Sequence, residues 1–547
     1  MATAPSANTL FYGDNLDVLR ESIASESVDL IYLDPPFNSN ATYNVLFRAP
    51  AGQQSEAQLE AFDDTWHWGE SAARAFDDVM HGRNTDVATM LRAMRSMLGE
   101  NDMMAYLAMM AVRLVELHRV LKPTGNLYLH CDPTASHYLK ILLDTIWGGG
   151  NCKNEIIWVR TTGKSLMRKK LPNNHDVIHF YQKKDGAFWD DESIFTAYDK
   201  ENLPDKTAIK YSHRDPDGRM YQLDNLINPN QNRPNLTYEF LGVSRVWRWT
   251  RERMTEAHRR GLVIQNRPGV VPRLKRYLDE QRGIPLSDVW PDIPPLNSQA
   301  QERLGYPTQK PQALLERIIQ TSCPAGGVVL DPFCGCGTAV HAAEKLERRW
   351  IGIDITHLAI SLIERRLKDA FQGITFDVQG TPKDFEGARD LAARDKNQFQ
   401  WWAVSLVDAV PQGGVRKKGM DRGIDGIRWV RTGPKQTDVE QVVVSVKGGE
   451  NVTSAMVRDL KGTVEREQAA AGLFVTLAEP TREMLREAAA AGFFETSFGR
   501  HPKIQIVTIR ELPAGMKVGL PALGRGEGFR RAPRERGAGA TQIGMDL

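Results

Sequence analysis

Asp34-Pro35-Pro36-Phe37 places a carboxylate, a proline carbonyl and an aromatic ring within one tetrapeptide. Both prolines lack an N–H and fix φ. Asp34 and Pro35 each precede a proline and are pushed toward extended geometry. The result is a rigid turn that presents two hydrogen-bond acceptors beside a stacking face. Such a set suits a planar base carrying an exocyclic NH2 group. The bland alternative is a Pro-rich turn without chemistry. The apolar run Leu30-Ile31-Tyr32-Leu33 reads as a buried strand, which sets the turn at a strand end.

A second group of residues lies far downstream. Val328 to Thr338 reads as a strand followed by a Gly-rich loop, Ala339 to Leu346 as a helix, and Trp350-Ile351-Gly352-Ile353-Asp354 as a strand ending in an acid. This is half of a nucleotide-binding sheet. Glycines let backbone approach a ligand, a helix N-terminus offers free N–H groups, and an acid about 20 residues on can hold ribose hydroxyls. The loop is neither G-x-G-x-x-G nor a P-loop, which argues against a dinucleotide and a triphosphate.

The loop resembles the S-adenosylmethionine loop of amino-methyltransferases, and Asp34 to Phe37 resembles their catalytic motif. Catalytic motif first and cofactor loop second resembles the permuted β class of DNA methyltransferases. Tyr306-Pro307-Thr308-Gln309-Lys310-Pro311 is similar to the segment preceding the cofactor loop in that class, and Phe11-Tyr12-Gly13-Asp14-Asn15 to its short strand before the catalytic one. The resemblance covers residues 9–370 and implies methyl transfer from S-adenosylmethionine to an exocyclic nitrogen in duplex DNA. Asp34 and the Pro35 carbonyl would accept the two N–H bonds, Pro36 completes the turn, and Phe37 would stack on a base flipped out of the duplex. Acceptors placed in advance favour the transition state, where the nitrogen becomes positive. By the same resemblance, Asp331, Phe333, Gly335, Gly337 and Thr338 hold the methionine part of the cofactor. Asp354 takes the ribose hydroxyls and Asp14 meets the adenine edge, while Thr308 and Lys310 close the site near the cofactor carboxylate. His130 and Asp132 end a strand that could face the target pocket or be purely structural. The leading Asp favours adenine N6; cytosine N4 is the alternative, since the cytosine enzymes of this class usually carry Ser there. An RNA methyltransferase is a weaker alternative.

The expected fold class is α/β: a Rossmann-like methyltransferase sheet with an inserted target-recognition region, plus a C-terminal α/β restriction-endonuclease-like domain. Residues 1–8 read as a disordered start, 9–150 as the catalytic half, 151–290 as the target-recognition region and 291–370 as the cofactor half. A linker at 371–394, the C-terminal domain at 395–515 and a Gly/Arg-rich tail at 516–547 follow. Met90 to Val120 reads as strongly helical. The 547 residues suit two to four domains. A net charge of +2 provides no global basic field, so a DNA surface must be local. Five cysteines form no C-x-x-C pair, and Cys334 and Cys336 read as loop packing, so no metal is expected there. The odd count suits a reducing cytosol, no apolar run approaches membrane length, and no signal peptide is present, so a cytoplasmic location is expected.

Basic and aromatic residues mix at Lys164, Arg168, Lys169 and Lys170, then at Arg245-Val246-Trp247-Arg248-Trp249. Such mixing suits phosphate contacts beside stacking; a solvated basic face with core tryptophans is the alternative. In the C-terminal domain, Gly423-Ile424-Asp425-Gly426 and Ser445-Val446-Lys447 resemble the site of a restriction endonuclease that surrounds Mg2+. Ser445 stands where that pattern wants an acid or Gln. One carboxylate plus a hydroxyl is a poor Mg2+ site, unless Asp421 or Glu440 joins it. A vestigial nuclease is expected, with a bifunctional modification and cleavage enzyme as the alternative. Expected partners are duplex DNA, a second copy of the chain, and restriction or defence subunits, with no membrane. Because the cofactor half-sheet closes before residue 395, the methyltransferase part is expected to fold without residues 395–547.

Overall fold

A computed structural model describes the chain except residues 1–6, 37–41, 49–53, 64–66, 162–170, 197, 199–202, 204, 298–299, 305, 307, 412–422, 434–437, 513–517, 521–531 and 536–547. Its largest sheet is built from β1 (Thr9–Tyr12), β2 (Val28–Leu33), β3 (Leu121–Cys131), β4 (Cys152–Val159), β5 (His175–Gln182), β6 (Val289–Trp290), β7 (Val328–Asp331), β8 (Arg349–Asp354) and β9 (Asp377–Gln379). Their spatial order is β6-β4-β5-β3-β2-β7-β8-β1-β9. The run from β3 to β9 is parallel, whereas β5 runs antiparallel to both β3 and β4.

The centre of this sheet follows from its sequence. All six residues of β2 are buried, as a parallel strand covered on both faces requires. Its one charge, Asp29, accepts Lys122 Nζ at 2.8 Å and the Val328 N–H at 2.9 Å, so the carboxylate ties the starts of β2, β3 and β7 together. β2 pairs with β7 through Leu30 with Val329 and Ile31 with Leu330. The carboxyl ends of the strand preceding Asp34 and the strand ending in Asp331 are therefore neighbours. One apolar core lies on each face, one including Leu33, Leu107 and Leu129, the other Leu30, Ile318 and Val329.

Several expectations are corrected. The helical stretch at Met90–Val120 is two helices, Thr85–Leu98 and Asp102–Val120. Gly99 breaks the chain at φ +73°, and Asn101 caps the second helix by accepting the Met104 N–H at 2.9 Å. The stretch 151–290 is not one region: β4, β5 and β6 belong to the large sheet, and a separate compact unit spans Asp190–Ser287. That unit has a four-stranded antiparallel sheet and a hairpin, Thr237–Phe240 with Val243–Val246, around the fully buried Trp247. Residues 371–394 are not a linker either. They hold β9 and the helix Phe385–Arg394, whose Ala388, Leu391 and Ala392 are buried at helical spacing. Its charged residues face outward and give the stretch its linker-like composition. At the other end, Asn8 is ordered, accepting the Trp350 N–H at 3.0 Å and donating to Glu344 at 2.8 Å.

The C-terminal domain has a five-stranded sheet in the order β10 (Val410–Pro411), β11 (Gly426–Arg431), β12 (Val439–Lys447), β13 (Ala471–Thr476), β14 (Ile504–Thr508). β10, β11 and β12 are antiparallel and β12, β13 and β14 parallel. It does not stand apart from the cofactor half. That half carries helices α1 (Gln312–Ser322), α2 (Thr338–Lys345) and α3 (His357–Ala370), and the C-terminal domain is entered through α4 (Lys396–Leu406). Trp401 of α4 and Val410 share one buried cluster with Leu304, Tyr306, Cys336, Leu358 and Leu362. Truncating Trp401 to alanine should cost about 3–5 kcal/mol, the usual range for a buried aromatic. Deleting residues 395–547 should lower the stability of the methyltransferase part, contrary to the expectation from sequence. Chemical denaturation checks both; a fully stable truncated protein would contradict the shared core.

Candidate active site

The ends of β2 and β7 open into a cavity of about 340 Å3, within the range of small-molecule sites. Asp14, Asp34, Pro35, Pro36, Thr308, Lys310, Asp331, Phe333, Gly335, Thr338 and Asp354 all line it. Eleven residues from five separate stretches of sequence are thus brought to one place. Phe37 lies outside the described residues. Gly337 is not in the wall; it caps α2 in the left-handed region at φ +74°, and a Cβ there would meet Ile363 at 2.8 Å.

Asp34 forms an ion pair with Lys310 through Oδ2. Its other oxygen, Oδ1, is buried and has no hydrogen-bond partner among the described residues. A buried carboxylate oxygen left open is costly, and here it borders a cavity. Asp331 Oδ1 accepts the Phe333 N–H at 3.0 Å. Burial, reinforced by Asp34 and Asp354, nevertheless pushes its carboxyl up to about 8. Asp354 is also raised, to about 6, by burial. Its Oδ2 accepts the Gly335 N–H at 2.9 Å, and its Oδ1 accepts both the N–H and the hydroxyl of Thr356 at 2.9 Å. Asp354 therefore fixes the Gly-rich loop; Oδ1 is filled by the two Thr356 donors, and Oδ2 keeps one further lone pair for a hydroxyl donor. Asp14, Asp34, Asp331 and Asp354 line the cavity against Lys310 and Arg113; with Asp331 raised to about 8 and mostly protonated at neutral pH, three carboxylates face two cations, leaving one negative charge in excess.

Asp14 is held from two sides. It caps the helix Asn15–Ser22 through the Leu16 N–H at 2.7 Å and accepts both bonds of Arg113 Nη2 at 2.9 Å. Arg113 also donates to Asn15 Oδ1 at 2.6 Å, and Asn15 Nδ2 donates to the Pro332 carbonyl at 2.8 Å. This network joins the N-terminal segment to the loop after β7. Reading the sequence missed Arg113 and gave Asn15, Tyr32 and Tyr306, which stand in its motifs and strand, no place in the site. A single Arg within the apolar run from Met103 to Val115 was the signal available for Arg113. Tyr306 is buried against Gly335, where a Cβ would lie 3.3 Å from its ring, so the loop needs glycine at φ +52°.

His130 is fully buried behind the cavity, with Nδ1 2.9 Å from the Tyr32 hydroxyl and Nε2 3.2 Å from Asp176. Asp132 caps the helix Pro133–Trp147 and is structural. Arg245 and Arg248 are exposed in the separate unit, whereas Trp247 is its core. Lys164, Arg168, Lys169 and Lys170 lie outside the described residues.

In the C-terminal domain, Asp425 and Ser445 are buried and Lys447 is half-buried. Asp425 Oδ2 accepts the Val446 N–H at 2.6 Å and the Ser445 hydroxyl at 3.3 Å; Oδ1 accepts from Gln400 of α4. Lys447 Nζ is 4.0 Å from Asp425. Glu440 sits exposed at the start of β12, opposite Val430, and does not join them. Asp421 is outside the described residues. Among the described residues no group of His, Cys, Asp and Glu is arranged to hold a metal.

Residues 28–365 match the family model N6_N4_Mtase, DNA methylase, and the chain belongs to that family. It is a DNA methyltransferase whose cofactor is S-adenosylmethionine, and the cavity fits that role: it is bordered by several acidic side chains, and one of them, Asp34, keeps an open carboxylate oxygen for the ligand. Residues 413–513 match NACHT-associated inactive Restriction Endonuclease 1. The chain is 26% identical to the type II methyltransferase M.EcaI of Enterobacter cloacae, over 66% of this chain and 69% of that protein. It is 25% identical to the Mod subunit of the type III enzyme StyLTI of Salmonella typhimurium, over 62% of this chain and half of that protein. Among solved structures it is similar to a DNA modification methylase of Thermus thermophilus, TTHA0409, complexed with S-adenosyl-L-methionine, at 15% identity and a TM-score of 0.32, covering 68% of this chain and 98% of that one. No helix among the described residues is long and apolar enough to cross a membrane.

The raised Asp331 carboxyl makes a pH prediction for the cofactor-free protein. A folded value near 8, against an ordinary 3.8, means that its favourable contribution is complete below about 4 and is lost as pH rises through 8. Asp331→Asn keeps the acceptor for Phe333 and removes that loss. Melting temperatures at pH 6 and 8 should therefore show the variant gaining on wild type at the higher pH. A constant difference would contradict the assignment.

Proposed function

We propose that this protein methylates adenine N6 in duplex DNA as a permuted, β-class amino-methyltransferase. The observation that carries the reading is the buried, unpartnered Asp34 Oδ1 at the cavity, beside Pro35. The exocyclic nitrogen of adenine is a poor nucleophile because its lone pair is delocalised into the ring. Asp34 Oδ1 and the Pro35 carbonyl accept its two N–H bonds, which favours a pyramidal nitrogen with its lone pair free. S-adenosylmethionine supplies an electrophilic sulfonium methyl group. Lys310 keeps Asp34 Oδ2 paired throughout, which leaves Oδ1 as the acceptor that faces the base. The two acceptors gain most as the nitrogen turns positive. Asp34 need not be a strong base, because the methylated ammonium is itself very acidic. Phe37 stacks on the flipped base.

Within the same reading, Asp331 and the Gly335–Gly337 loop with Phe333 and Thr338 hold the methionine part, Asp354 the ribose and Asp14 the adenine edge. Thr308 and Lys310 close the site. Arg245 and Arg248, with Lys164, Arg168, Lys169 and Lys170, contact DNA phosphates. The protein works in the cytoplasm, alone or as a homodimer, and the similarity to a Mod subunit supports a restriction or defence partner. The C-terminal domain does not cut DNA: Asp425 spends its oxygens on Gln400, Ser445 and Val446, and Ser445 replaces an acid. Cytosine N4 is the alternative target, since the family covers both nitrogens.

Asp34→Ala should lower methyl transfer by at least ~10²-fold, the usual cost of a lost transition-state partner, while S-adenosylmethionine affinity stays near wild type. Liquid chromatography with mass spectrometry of nucleosides reads the product. N4-methylcytosine without N6-methyladenine would move the assignment to the alternative, and full turnover by Asp34→Ala would remove it. Plasmid incubated with the protein and Mg2+ or Mn2+ should stay intact. Cutting that disappears in Lys447→Ala would make the chain a restriction and modification enzyme in one.

A further inference from the structure

A short segment beyond the C-terminal domain, residues 532–535, returns to the methyltransferase part. Ala532 is buried with Leu358, Leu362 and Trp401. The Glu535 N–H donates to the Ala370 carbonyl at the end of α3 at 3.1 Å. Its side chain accepts from His341 Nε2 of α2 at 3.0 Å and from Gln312 Nε2 of α1 at 3.1 Å, with Lys345 Nζ 3.5 Å away. One glutamate thus bridges all three helices of the cofactor half.

The contact continues inward. His341 is almost fully buried, and its Nδ1 accepts from Arg366 Nε at 3.2 Å. Those two bonds define the tautomer: Nδ1 bare, Nε2 protonated and donating to Glu535. Burial, aided by Arg366, pushes His341 down to about 4, so the ring is neutral at physiological pH. Arg366 is likewise buried, and its Nη1 donates to the Cys336 carbonyl at 3.0 Å and to the Thr338 hydroxyl at 3.1 Å. Cys336 belongs to the Gly-rich loop and Thr338 opens α2 directly behind it, and both line the cavity. An unbroken chain of hydrogen bonds therefore runs from Glu535 to the cofactor loop.

We infer that Glu535 is a positioning residue for that loop: through His341 and Arg366 it holds Cys336 and Thr338 in the cofactor-binding arrangement, so the segment behind the C-terminal domain sets affinity for S-adenosylmethionine without touching it. Without Glu535, the buried His341 N–H has no acceptor, the ring is free to turn, and Arg366 loses its fixed partner. The inference rests on the cavity being the S-adenosylmethionine site. Chemistry at Asp34 should be spared, because none of these residues touches it.

The test is calorimetric titration of S-adenosylmethionine into the full chain, with methyl-transfer kinetics and melting temperature on the same samples. Glu535→Ala should weaken cofactor binding about tenfold, as loss of a hydrogen bond to a charged group does. The KM for the cofactor should rise by a like factor, and kcat at saturating cofactor should remain within about twofold. Glu535→Gln, whose amide oxygen can still accept from His341, should recover most of the affinity. Lys345→Ala should leave it unchanged. Glu535→Asp, which keeps the charge but shortens the reach, reads the same loss should the alanine variant not fold. Wild-type affinity in Glu535→Ala or Glu535→Asp, or a fall in melting temperature with KM unchanged, would overturn the inference. Wild-type protein that binds no S-adenosylmethionine would instead overturn the assignment of the cavity.

Discussion

The parallel pairing of β2 with β7 is the constraint on which the site depends. Leu30 opposite Val329 and Ile31 opposite Leu330 bring two strand ends far apart in sequence into contact. Ligands of open α/β sheets bind outside such carboxyl ends, where the strand connections diverge. Shifting this register by one residue would turn Tyr32 and Asp331 to the opposite faces of the sheet. Asp29 guards the register from the other end by bonding both the Val328 N–H and Lys122. Lys310 then joins the two halves at the cavity itself by pairing with Asp34.

The site concentrates carboxyl groups. Asp34, Asp331 and Asp354 border one cavity, and burial raises the last two. Burying these groups together costs stability, and the cost is lowered by the Lys310 pairing of Asp34 and by a raised Asp331 carboxyl that stays mostly protonated at neutral pH. The surrounding protein offsets that cost by holding the loop from behind, through Tyr306 on Gly335, Arg366 on Cys336, and the cluster shared with α4. In the C-terminal domain the residual aspartate has a comparable structural role. Asp425 binds Gln400 on the helix whose next residue, Trp401, packs on the cofactor half. A carboxylate resembling a nuclease ligand thus anchors the helix that joins the two parts.

Legibility in the sequence followed locality. Asp34-Pro35-Pro36 and the Gly335–Gly337 loop could be read because their geometry is dictated by neighbouring residues, by proline φ in one case and positive φ in the other. The strand ends were legible because buried parallel strands are continuous apolar runs. What escaped depends on partners distant in the chain. Arg113 meets Asp14 and Glu535 meets His341 only after folding. β4 and β5 looked like part of a polar inserted region because their membership in the large sheet is decided by pairing with β3, not by their own composition. The helix Phe385–Arg394 was mistaken for a linker because half of its surface is charged.

The ends of β2 and β7 form one cavity, and we propose that an amine and a methyl donor meet in it. A crystal structure of the protein with S-adenosylmethionine tests it most directly. The methionine portion should lie against Asp331 and the Gly335–Gly337 loop, the ribose at Asp354, and the sulfonium methyl should point toward the Asp34 carboxylate and Pro35 carbonyl. A cofactor bound elsewhere, or one whose methyl group points away from Asp34, would contradict it.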